Sequence, residues 1–177
     1  LFLISAGSIL IFRRWWWEHA GGHVRDVASA YSREGAFIEK GLLFIAFLFA
    51  VCAALLPPIG YDAHEYHLAC PQEYLEAGAW VAFPYNIYAG FPMNVEMLYL
   101  WPLSMQSVAG CTVLNLVFAL CTVLALTALA RRWGIGKPWL VALLFMGMGF
   151  VLKLVVQANI DMALAASAAI LLLAYEE

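Results

Sequence analysis

Charge is scarce in this chain. Of its 177 residues only 12% are Asp, Glu, Lys or Arg, while 65% are hydrophobic. A soluble domain runs nearer ~25% and ~45–50%. So few charges do not cover the surface of a water-soluble globule, and that class is excluded. A basic arm or stripe is also missing: nine Lys and Arg against twelve Asp and Glu leave a net charge of −3, so no nucleic-acid partner is expected. There is no disulfide framework, because Cys52, Cys111 and Cys121 fall in apolar runs and leave Cys70 alone in a polar loop. The sequence begins without Met inside one apolar run and ends on Glu176-Glu177 just after another. It reads as a fragment of a longer protein.

What the chain has instead is apolar blocks long enough to cross a bilayer, whose ~30 Å core needs roughly 20 helical residues. The expected fold is all-α, a polytopic transmembrane helix bundle. Residues 1–12 read as a truncated span and 13–40 as a cytoplasmic loop anchored by Trp and Arg. Residues 41–59 form a full span closed by Pro57-Pro58, which remove two helix donors. Further spans are expected at 111–130, 138–156 and 160–175, with a short cytoplasmic loop at 131–137. Eight of the nine basic residues lie in two places, Arg13 to Lys40 and Arg131 to Lys137, and the positive-inside rule puts both in the cytoplasm. One crossing must then leave after Lys40 and one return before Arg131. Residues 97–109 therefore lie along the outer face.

The outer loop, 60–110, contains no Lys or Arg. Its acids are Asp62, Glu65, Glu73, Glu76 and Glu96, and it carries ten aromatic residues from Tyr61 to Trp101. Aromatic rings favour the headgroup layer, so two helices are expected on the outer membrane face. The first covers 62–77, broken at Pro71 and ended by Gly78; the second covers about 92–105. Trp80 to Gly90 is an irregular connection.

Reactive side chains are densest in Tyr61-Asp62-Ala63-His64-Glu65-Tyr66-His67. On an α-helix Asp62, Glu65 and Tyr66 share one face, and His64 and His67 another. Asp62-x-x-Glu65 is also a capping-box pattern, and a capped helix start is a good place to hold a carboxylate, so both roles stay open. The His pair with Asp62, Glu65 and Cys70 completes no recognised ligand set. A divalent ion shared with a phosphate substrate is the metal alternative, with Asp62, Glu65 and Asp161 as ligands. Asp161 and Lys153 stand at the outer membrane edge, where ionisable groups are expensive. For Asp161 the alternatives are a helix cap or a site residue; for Lys153, snorkelling to headgroups or a site residue.

Asp62-Ala63-x-x-Tyr66-His67-Leu68 after a first span resembles the corresponding stretch of bacterial membrane glycosyltransferases of the protein-mannosyltransferase-like, or family 39, type. Asn86 and Tyr88, then Pro92-x-x-x-Glu96, a span ending in Arg131-Arg132, and Gln157-x-Asn159-x-Asp161 follow in the same order. The resemblance covers roughly residues 41–175. It implies the C-type glycosyltransferase fold, in the bacterial inner membrane with the active site facing outside. It also implies a polyprenyl-phosphate sugar donor, a lipid, glycan or protein acceptor, and Asp62 as the catalytic base. Glu65, Tyr66, His67, Glu96, Lys153 and Asp161 are supporting candidates, and Tyr85 and Tyr88 are candidates for a sugar pocket. His64-Glu65 departs from the family pattern. A polytopic transporter with ionisable residues at the outer edge is the alternative function.

Overall fold

The computed structural model describes residues 37–90 and 93–175. The expected span at 1–12 and most of the cytoplasmic loop at 13–40 lie outside them. The described residues are all-helical, with no strand among them.

Helix α1 (Phe37–Ala54) begins inside the expected cytoplasmic loop and stops before Pro57-Pro58. An i→i+5 turn of π-helix (Ala63–His67) leads through Leu68 into α2 (Ala69–Ala77), which Gly78 ends in the left-handed region at φ 63°. The break expected at Pro71 falls instead at Leu68. Pro71 sits in the first turn of α2, where a missing donor costs nothing. A 3-10 turn (Ile87–Gly90) precedes α3 (Glu96–Ser104). At nine residues α3 reaches only about 14 Å, too short for a bilayer core. The chain reverses at Gln106, φ 56°, and Ser107 caps α4 (Val108–Arg132) by accepting from Gly110 N at 3.1 Å. Gly110 is required here: a Cβ on it would fall 2.5 Å from Pro102 Cβ, so its absence lets α3 pack onto the start of α4.

The segment expected as one span at 138–156 is two helices, α5 (Pro138–Gly147) and α6 (Gly149–Val155), bent by 77°. Met148 between them is extended, φ −69° and ψ 117°. Its neighbours are both glycine, the weakest helix former after proline, so the ladder breaks where its sequence is weakest. A turn at Gln157–Ile160 returns the chain into α7 (Asp161–Tyr175).

Among the described residues two helices, α1 and α4, are long and apolar enough to cross a membrane, and α5 with α6 makes a third if the bent pair is one span. Helix α4 is the centre, packed by α1, α3, α5, α6 and α7. Its core contains several small residues: Ala119 shares one buried cluster with Ala50, Ala54 and Ala142, and α7 buries Ala163, Ala166 and Ala169. Small side chains let helix backbones approach closely, as helices do in lipid. The outward side of α1 leaves Phe44, Ile45, Leu48 and Phe49 exposed. A bare apolar face of that kind is characteristic of a membrane or protein contact.

Basic residues gather at one end of the bundle. Lys137 pairs with Glu39 at 3.6 Å, and Lys40 and Arg131 both lie over the Trp139 ring. Arg132 donates to Leu173 O at 3.0 Å, closing the carboxyl end of α7. At the other end lie the close of α1, the π-turn, α3, the start of α4 and the turn before α7.

Candidate functional site at the acid end

The π-turn determines which side chains meet. An i→i+5 bond, Leu68 N to Ala63 O at 2.9 Å, adds a residue to the turn, so each residue advances less around the axis. Positions four and five apart then share a face and positions three apart do not. Asp62 consequently acts on the Tyr66 hydroxyl four positions on, while Glu65 acts most strongly on Tyr61 four positions back. Of the face expected from α-helical spacing, Asp62 and Tyr66 stay together and Glu65 leaves them, and the expected His64–His67 face is not formed. His64 Nε2 instead donates to Pro58 O at 2.6 Å, and His67 Nδ1 donates to Glu96 Oε1 at 2.8 Å. The capping box is not formed either. Asp62 is helical, φ −60° and ψ −36°, and its side chain makes no cap hydrogen bond.

His67 and Glu96 are both buried. A carboxylate partner requires the imidazole proton on Nδ1. The second carboxylate oxygen, Glu96 Oε2, is buried without a hydrogen-bond partner.

Tyr66 marks the centre of the cluster. Burial pushes its hydroxyl pKa above the ordinary tyrosine value, and the carboxylates of Asp62, Asp161 and Glu96 push it further. All three acids therefore lie within electrostatic reach of one hydroxyl, although they come from three separated parts of the sequence. The Tyr66 ring stacks on Tyr88, centroids 5.1 Å apart and 22° between planes, and touches the His67 ring at 4.1 Å. Asn86 fixes the loop that carries Tyr88: its Nδ2 donates to Glu65 O at 2.9 Å and its Oδ1 accepts from Tyr88 N at 3.0 Å. Asp62 is exposed, so a substrate can reach it.

Tyr85 is held elsewhere. Its hydroxyl donates to both oxygens of Glu73, at 2.8 and 2.7 Å, and this contact raises its pKa. Phe83, Tyr85, Asn86 and Ile87 line an open groove of about 670 Å³ on the connection to α3. Glu65 lies beside the Tyr61 hydroxyl, whose pKa it raises. Among the described residues no three His, Cys, Asp or Glu side chains converge as a ligand set.

The turn before α7 delivers Asp161. Leu164 N donates to Ile160 O at 3.0 Å, which makes Asp161 the first residue inside the helix rather than its cap. A carboxylate there is favoured by the helix dipole. The turn is pinned from three sides. Tyr99 donates to Asn159 O at 2.7 Å, Asn115 Nδ2 donates to Leu154 O and Gln157 O at 2.7 Å each, and Gln157 abuts Gly60. A Cβ on Gly60 would lie 2.5 Å from Gln157 Oε1. Tyr99 and Asn115 were not expected as site residues. The available signal for Asn115 was an amide in the middle of an apolar run. Lys153 is exposed on α6, and no ion pair joins it to Asp161. The chain matches no known protein family, no curated protein and no solved structure.

Proposed function

We propose that this chain is part of a polytopic membrane glycosyltransferase that moves a sugar from a polyprenyl-phosphate donor to an acceptor hydroxyl on the extracytoplasmic face, with inversion. The observation that supports it most is an exposed Asp62 on a π-turn that Glu96 holds through His67, at the end of an apolar bundle where Asp161 also opens its helix. In this reaction the Asp62 carboxylate takes the acceptor O–H proton as that oxygen attacks the anomeric carbon. The carbon–oxygen bond to phosphate breaks, and polyprenyl phosphate leaves with the bonding pair. A base within hydrogen-bond reach of the acceptor is the first requirement. Positive charge on the leaving phosphate is the second. Among the described residues Lys153 is the only Lys or Arg at this end. The Asp62, Glu65 and Asp161 side chains do not stand as a ready metal site, and no step is assigned to a metal. The lipid chain of the donor needs only apolar surface, which the outward side of α1 offers.

The bend at Met148 favours a second reading, a transporter, because broken helices often form ion and substrate sites at membrane depth. The two readings separate in one preparation. The full-length protein in proteoliposomes is given a radiolabelled polyprenyl-phosphate sugar and, separately, labelled free sugars and ions. Label moving to acceptor without net uptake supports the transferase; saturable uptake without transfer supports the transporter and removes the transferase.

A further inference from the structure

Helix α3 presents two buried polar side chains on one face, three residues apart: Glu96 at 3% exposure and Tyr99 at 0%. They reach in different directions along the chain. Glu96 holds His67, five residues after Asp62, and Tyr99 holds Asn159, two residues before Asp161. The helix that carries them is itself fixed to α4 through the Pro102–Gly110 contact and the Cys111 thiol on Tyr99 O at 3.9 Å. We infer that α3 is a brace, with Glu96 and Tyr99 as positioning residues that set the separation between the π-turn bearing Asp62 and the turn that leads into Asp161.

The energetics of Glu96 support a positional role. A carboxylate buried on one hydrogen bond, with its second oxygen unpartnered, is a poor source of stability. Apolar side chains of the same volume would fill that space at less cost. What they would not supply is a directed tether to the imidazole of the π-turn. Tyr99 works the same way at the other end: its hydroxyl binds a backbone oxygen, so it fixes the path of the turn rather than one side chain. The brace rests on the proposed transfer reaction only for its catalytic consequence. The geometry it sets is measurable without turnover.

The test places nitroxide-bearing amino acids at Tyr61 and Leu164, which are 73% and 68% exposed on either side of the cluster. The distance distribution is read in the full-length protein in nanodiscs by pulsed electron resonance. The unaltered protein should give one narrow peak. Tyr99→Phe, which loses only the hydroxyl, and Glu96→Ala should each broaden it. Glu96→Gln keeps an oxygen for His67 and should keep the peak narrow, and Thr127→Val, which loses a bond within α4 far from α3, should also leave it narrow. Tyr99→Phe should also lower kcat by about tenfold to 100-fold with KM little changed, as a small misplacement of reacting groups does. Narrow, unshifted peaks in both Tyr99→Phe and Glu96→Ala would overturn the brace. Absence of transfer in the unaltered protein would remove the proposed function, while the peak widths still decide the brace.

Discussion

At the scale of single residues, tyrosine protonation gives a stability prediction with a definite sign. Burial first, then the neighbouring groups Cys111, Glu96 and Asp161, raise the Tyr99 pKa well above the ordinary value of about 10. The folded state thus binds the proton more tightly than the unfolded state. The resulting stability is complete below about pH 10 and is lost as pH rises beyond it. Tyr99→Phe removes this contribution. Its thermal unfolding temperature should start lower, for want of the Asn159 hydrogen bond, yet fall less steeply above pH 10 than that of the unaltered protein. A parallel fall in both proteins would show that Tyr99 is not the group responsible. The polar residues gathered at this end, Asp62, Tyr66, His67, Glu96 and Asp161, were visible in the sequence as candidates, because ionisable groups are rare beside apolar runs. Which of them meet was not visible. Side-chain spacing gives faces only once the helix type is known, and nothing in Ala63–His67 announces an i→i+5 turn.

At the scale of elements, Asn115 makes the sharpest case. Its amide, fully buried in the middle of α4, satisfies carbonyls at the frayed end of α6 and in the turn that follows. Asn115→Leu leaves Leu154 O and Gln157 O without those donors. It should cost about 1–2 kcal/mol, as interhelical hydrogen bonds do in membranes. Thermal unfolding in detergent should show the loss, and amide exchange should quicken first in 154–160; uniform exchange across α6 and α7 would contradict this account of the turn. The apolar runs at 41–59, 111–130 and 160–175 coincide in large part with α1, α4 and α7, although α7, at 15 residues, is shorter than α1 and α4, which are long and apolar enough to cross a membrane. The bend in 138–156 was missed for a physical reason. Gly147-Met148-Gly149 is as apolar as its surroundings, so hydropathy does not register a weakness that lies in backbone propensity.

At the scale of the whole molecule, the segregation of charge carries the orientation. Lys40, Arg131 and Lys137 gather at one end with Trp139, and the five acids of residues 60–110 are far from them in the chain and face no Lys or Arg in their own segment. If the basic end is cytoplasmic, a membrane-impermeant thiol reagent added outside should modify Ser104→Cys and Gln106→Cys, both exposed, and spare Lys137→Cys, equally exposed. Modification of Lys137→Cys from outside in sealed cells would reverse the orientation and with it the side on which Asp62 works. The central claim concerns Asp62 itself, and the absence of a cap hydrogen bond on its side chain makes the test clean. Asp62→Asn keeps size and polarity but supplies an amide that takes no proton. In the purified full-length protein, transfer from a polyprenyl-phosphate sugar should fall by about 100-fold or more with thermal unfolding unchanged; turnover close to that of the unaltered protein would contradict Asp62 as the base.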